Sequence, residues 1–174
     1  MKITISGESG SGKTTVGEML AKNLNYNFYS GGYFFRKKAE EYKMDIIEFS
    51  TYAERHREID LEEDKLITDF IKNHDNIVIE SRLCGYLSHK ESIDSYRIFL
   101  YAEEDTRINR LLGRDDGASK ENIIKRERSE LRRYMTFYGI DYRNYQYYNL
   151  IIKTDNLSIE NVLSSIMFSI KKKS

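Results

Sequence analysis

A chain of 174 residues fits one domain, long enough to bury roughly 70% of its extended-chain surface. Its 28 basic residues match its 28 acidic ones, which argues against a general nucleic-acid or membrane binder. A single cysteine, Cys84, excludes an internal disulfide and a cysteine-based zinc site, and no apolar stretch approaches the ~20 residues of a membrane span or opens the chain as a signal peptide, so a cytoplasmic monomer is expected.

The first apolar run, "KITIS" (2–6), reads as a strand and is followed at once by "GESGSGKT" (7–14). That stretch satisfies G-x-x-x-x-G-K-[ST] between a predicted strand and a predicted helix. Gly7, Gly10 and Gly12 let backbone N–H groups, with Ser11 and Thr15 beside them, turn inward around phosphate. Lys13 is placed to reach the β and γ phosphates, and the Thr14 hydroxyl to ligate Mg²⁺. Val16, Met19, Leu20 and Leu24 then keep one helical face.

Further strands are predicted at 27–30, 76–80, 96–101 and 149–153, several of them almost continuously apolar, as strands buried on both faces are. The gap between the second and third strands is too long for one crossover and predicts helices near 31–42, 46–54 and 58–73. Ile123, Leu131, Met135 and Tyr138 mark a long charged helix, and Val162, Ile166 and Ile170 a last one. The alternation predicts an α/β, three-layer P-loop fold with a five-stranded parallel sheet. A single domain is expected, with its core at 1–30, 75–113 and 135–174, a helical acceptor-binding region at 31–74 and a short lid at 114–134.

Ligands in open α/β sheets bind beyond the C-terminal strand ends. Arg36, just past the second strand, and Arg82, just past the third, start near the P-loop, and their forked donors suit a second phosphate. Glu80 closes the third strand and could hold Mg²⁺ through water. Arg107, Arg110 and Arg114 recur at helical spacing, Gly113 and Gly117 bracket an acidic turn, and Arg126, Arg132 and Arg133 follow. These segments predict a lid that pivots at the two glycines. The guanine-binding N-K-x-D and the D-x-x-G switch of GTPases are absent from the sequence.

The chain resembles nucleoside monophosphate kinases, most closely the archaeal-type cytidylate kinases, over nearly its whole length. The likeness rests on the P-loop, "SGGYFFRKKAEE" (30–41), "IEFSTYAERHREIDLEEDK" (47–65), "IESRLCGY" (79–86), "RLLGR" (110–114) and "YMTFYGIDY" (134–142). The resemblance implies transfer of the ATP γ-phosphoryl group to CMP, and to dCMP, with Mg²⁺. It implies that Arg36 and Arg82 hold the acceptor phosphate, that Arg110 stacks on adenine and that Arg114, Arg126 and Arg132 close onto the transferring group. Asp60 and Asp64 are candidates for reading the cytosine amino group. Asn149 and Lys153 stand where similar sequences carry carboxylates. Rival readings are a kinase for AMP, UMP or a small metabolite, a nucleotide-binding switch without transfer, and an RNA-associated P-loop protein. No stable nucleic-acid or membrane partner is expected.

Overall fold

The computed structural model describes residues 1–113 and 119–173. In chain order these form β1 (Lys2–Gly7), α1 (Lys13–Leu24), β2 (Asn27–Ser30), α2 (Gly31–Glu41), α3 (Ile46–Ala53), α4 (Arg57–Asn73), β3 (Ile77–Glu80), α5 (Cys84–Lys90), β4 (Tyr96–Tyr101), α6 (Glu104–Leu112), α7 (Lys120–Tyr138), a 3₁₀ turn (Tyr145–Tyr147), β5 (Leu150–Lys153) and α8 (Ile159–Lys173). All strand pairs are parallel, in the order β2-β3-β1-β4-β5. β1 therefore lies at the centre, with Ile5 opposite Glu80 of β3 and Ser6 opposite Phe99 of β4.

Side chains alternate across the sheet, and helices cover both faces. Ile3, Ile5, Ile98 and Leu100 pack on Val16 and Leu20 of α1 and on Val162 and Ile166 of α8. Ile79 and Phe99 point the other way, into a cluster with Ile67 and Ile71 of α4, Leu87 of α5 and Tyr134 of α7. Each such side chain contributes about 1.5–3 kcal/mol through burial. A third cluster of Phe35, Ala39, Phe49, Ala53 and Ile59 gives α2, α3 and α4 a small core of their own. α3 starts on a reciprocal cap, in which the Asp45 side chain accepts from Ile47 and Glu48 N–H groups and the Glu48 side chain accepts from Asp45 N–H.

α7 is fastened to this three-helix body. The Arg133 Nε lies 3.0 Å from Asp60 Oδ2 with both side chains buried. Arg133 Nη1 and Ser129 Oγ both donate to the Ser50 carbonyl at 3.0 Å. Near the C-terminal end, Arg57 Nη2 donates to the Phe137 carbonyl, also at 3.0 Å. The expected lid boundary at 134 thus falls inside a continuous helix whose inner face is buried.

The five strands begin and end within one residue of their predicted positions. Two elements were not predicted. α5 is seven residues long with a glycine inside it, and the 3₁₀ turn is three, so neither repeats an apolar period long enough to read. Met135 is 55% exposed and does not face the core as expected, because the inner face of α7 runs through Glu130, Arg133 and Tyr134. Gly113 closes α6 in ordinary right-handed geometry at φ −77°. Arg114 and Gly117 lie outside the described residues, as does the first part of the expected lid, 114–118.

Removing one partner of a buried ion pair leaves an uncompensated charge. Arg133→Met should therefore cost about 3–5 kcal/mol of folding stability at pH 7.5. The double variant Asp60→Leu/Arg133→Met should recover most of it. Urea unfolding of the three proteins measures both.

Candidate active site

The loop after β1 is shaped by steric limits. A side chain at Gly7 would place Cβ 2.0 Å from the Leu100 carbonyl oxygen, and one at Gly10 would place it 2.6 Å from that of Arg107. Both residues also hold positive φ, at 147° and 75°, so glycine is required twice over. Gly12 sits in left-handed geometry at the start of α1. Among the described residues no side chain caps α1, and its first turn carries no acid. Its N–H groups and positive dipole end therefore face the loop.

Inside the loop the Glu8 carbonyl accepts from Lys13 Nζ at 2.8 Å and from Ser11 Oγ at 2.8 Å. Lys13 is buried, and burial together with repulsion from Arg82 lowers its pKa to about 7. Thr14 Oγ1 donates to Glu80 Oε1 at 3.3 Å, and Ser30 Oγ donates to the same oxygen. The parallel pairing of β1, β2 and β3 brings these groups together, since Ser30 and Glu80 lie opposite each other at the strand ends.

A cleft of about 550 Å³ opens from this loop. Gly10, Lys13, Thr14, Thr15 and Glu80 line it, together with Arg36, Arg82 and Arg126. Arg82 donates from Nε to Glu130 Oε2 at 2.7 Å, and its Nη2 donates to Ser9 Oγ. Arg126 Nε stands 3.2 Å from Glu130 Oε1. Burial works against charge on Glu130, but Arg82, Arg126 and Arg133 overcome it and hold its pKa at about 2. Asp60, Glu63 and Asp64 of α4 line the cleft as well. Burial raises all three, to about 6, about 8 and about 7, and their mutual repulsion adds to the shift of Glu63 and Asp64. Asp64 accepts from the Tyr138 hydroxyl.

Two expected residues are not among those lining this cleft. Arg132 is 64% exposed and pairs with Glu54 at 2.9 Å, outside the cleft. Its neighbour Arg133 lines the cleft instead. A helix turns about 100° per residue, so adjacent positions cannot share a face. Arg110 donates to the carbonyls of Gly10 at 3.2 Å and Thr154 at 2.7 Å, so it braces the loop after β5 against the P-loop. Arg114 cannot be placed, being outside the described residues. Arg107, buried beneath the loop, was not singled out for a site role. Its Nε donates to the Ala102 carbonyl, its Nη1 donates to the Ser9 carbonyl and to Glu127, and Glu8 lies within ion-pair range. Glu63, Glu130 and Arg133 were also missed. For the last two a signal existed in the i, i+3, i+7, i+10 series Ile123, Arg126, Glu130 and Arg133, which puts them on one helical face.

Residues 2–156 match a family model described as the cytidylate kinase-like family. A cytidylate kinase from Thermoplasma volcanium is 40% identical over 166 residues, covering 93% of this chain and 87% of that protein. One from Sulfolobus acidocaldarius is 38% identical over 176 residues, covering 99% and 96%. Among solved structures, a shikimate kinase from Bacteroides thetaiotaomicron superposes with a TM-score of 0.67 at 18% identity, covering 98% of each chain. A deoxyadenosine kinase from M. mycoides superposes with a TM-score of 0.55 at 17% identity, covering 99% of this chain and all of the other. At such identities these two establish the fold alone.

The low pKa of Lys13 has a measurable consequence. A bound triphosphate favours the charged ammonium and raises that pKa above 7. Binding of a non-hydrolysable ATP analogue at pH 8 should therefore take up a proton, approaching about one per site, and affinity should fall from pH 7 to 9. Calorimetry in two buffers of different ionisation enthalpy reads the uptake; equal heats in both would contradict it.

Proposed function

The chain belongs to the cytidylate kinase-like family, and from that membership we propose how its cleft moves a phosphoryl group from ATP to CMP and, by the same contacts, to dCMP. The observation that carries the reading is a single cleft lined by the P-loop lysine together with three arginines, Arg36, Arg82 and Arg126. The triphosphate lies along the loop from Gly7 to Thr15, with its β and γ phosphates on the helix N-terminus and Lys13. The acceptor phosphate lies against Arg36 and Arg82, and Arg126 stands between the two anions.

The chemistry asks for alignment and charge neutralisation. A CMP phosphate oxygen is already an anion at neutral pH, so it attacks the γ phosphorus without a general base while the bond to the β-γ bridging oxygen breaks. Lys13 and Arg126 offset the charge on the three equatorial oxygens. Residues suited to Mg²⁺ are present: the Thr14 hydroxyl and the Glu80 carboxylate are hard oxygen donors 3.3 Å apart at the mouth of the loop. Among the described residues no group of three His, Cys, Asp or Glu could hold a metal alone, which fits an ion arriving with the triphosphate. Held by Thr14 and, through water, by Glu80, Mg²⁺ would supply charge neutralisation to the triphosphate.

Cytosine is read on the α4 wall. Asp60 is committed to Arg133, so Glu63 and Asp64 are the carboxyls left to accept from the cytosine amino group. Uracil carries an oxygen at that position and cannot donate. A site built around a donor rejects an analogue lacking it strongly.

Lys13→Ala should fold and lose about 3–4 kcal/mol of transition-state stabilisation. Arg36 is exposed at the cleft mouth, so Arg36→Ala should also fold. It should weaken CMP by about 1.5–3 kcal/mol and ATP far less. An ADP-release assay across CMP, dCMP, UMP, AMP and shikimate should find the cytidylates best. Equal turnover of UMP would overturn the assignment of the α4 wall.

A further inference from the structure

Glu130 is an acid buried in a cleft otherwise built to receive phosphates. It is 5% exposed, and among the described residues it contacts two of the three arginines proposed for the anions. Its contacts are one-sided. Oε2 takes Arg82 by Nε at 2.7 Å, and Oε1 takes Arg82 by Nη2 at 3.4 Å. The same Oε1 lies 3.2 Å from Arg126 Nε, as an ion pair without hydrogen-bond alignment. Arg82, gripped through Nε and Nη2, is fixed in plane and direction, and Arg126 is drawn to the same carboxylate by charge.

We propose that Glu130 is a positioning residue for phosphoryl transfer, setting the direction of Arg82 and Arg126 so that both aim at the acceptor phosphate and the transferring group. The proposal rests on the two-phosphate reading of the cleft. Four features of the structure support it. Arg82 also reaches Ser9 of the P-loop, so the residue that Glu130 directs touches both halves of the site. Arg82 bears on Lys13 as a like charge, and Glu130 offsets it. The carboxylate stays ionised against burial, because Arg82, Arg126 and Arg133 surround it. α7, which carries it, is pinned to α3 and α4 by Ser129 and Arg133 on either side of Glu130, so the carboxylate itself is held in place.

A positioning carboxylate has an unusual signature, since it weakens anion binding through its charge while it improves alignment. Glu130→Gln keeps the size and one acceptor oxygen and removes the charge. Its kcat should fall about 10- to 100-fold through misplacement of the arginines, while the KM for CMP stays level or drops. With ADP filling the donor side, inorganic phosphate should bind the variant about tenfold more tightly than wild type, as one buried negative charge has gone. Glu130→Asp keeps the charge and so the fold, but draws the carboxylate back. Its phosphate affinity should match wild type and its kcat should still fall.

The experiment is steady-state kinetics of the full chain and both variants, with phosphate calorimetry in ADP and thermal melts alongside. Wild-type kcat in either variant would overturn the proposal. So would weaker phosphate binding by Glu130→Gln, or a KM that rises as kcat falls. Should Glu130→Gln fail to fold, Glu130→Asp decides alone by its kcat. Should wild type leave CMP unphosphorylated, the acceptor reading fails instead, and the phosphate titration still judges Glu130.

Discussion

Lys13, Arg82, Arg126 and Arg133 all line one cleft and are buried or part-buried there, and such a cluster cannot be held there without carboxylates beside it. Several buried like charges in a medium of reduced dielectric repel one another by more than a protein of ordinary stability can absorb. Glu80, Glu130 and Asp60 lie among these cations and line the same cleft. Much of the architecture follows from that requirement. Glu80 is supplied by the end of β3, Asp60 by the first turn of α4 and Glu130 by the inner face of α7. Three separate elements must therefore meet at the same place before the cations can be buried.

The sheet order makes that meeting possible. β1 lies between β3 and β4, so the loop after β1 opens between the ends of its neighbours, and both Glu80 and Arg82 follow from β3. On the other flank Arg107 binds the Ser9 carbonyl and Glu127 together, which ties α6 and α7 to the P-loop. Arg133 then ties α7 to Asp60 and to the Ser50 carbonyl. α7 thus links the P-loop to α3 and α4, and a change on one side has a physical route to the other. A carboxylate in such a link can act on alignment without touching substrate.

Local features were legible in the sequence and long-range partners were not. The P-loop and the strands showed because a glycine pattern and a continuous apolar run act within a few residues of themselves. Arg36, Arg82 and Glu80 were legible as cleft residues because strand ends mark the ligand side of such a sheet. Arg132 against Arg133 could not be settled by spacing to the apolar positions alone, since the inner face of α7 carries charged residues where apolar ones were sought. Glu130 looked like one more acid on a solvated Arg/Glu helix. Its partner Arg82 is 48 residues away, and only the fold brings them together. The Asp60–Arg133 pair was hidden in the same way.

Direct transfer requires that the two proposed phosphate sites share one cleft. The measurement that tests it most directly is the affinity of a bisubstrate mimic, adenosine and cytidine joined 5′ to 5′ through five phosphates. It should displace both nucleotides and bind at least about 100-fold more tightly than either alone, because the second site is then filled at high effective concentration. Binding no tighter than the better single nucleotide, or displacement of only one of them, would mean that the two sites are not joined as described.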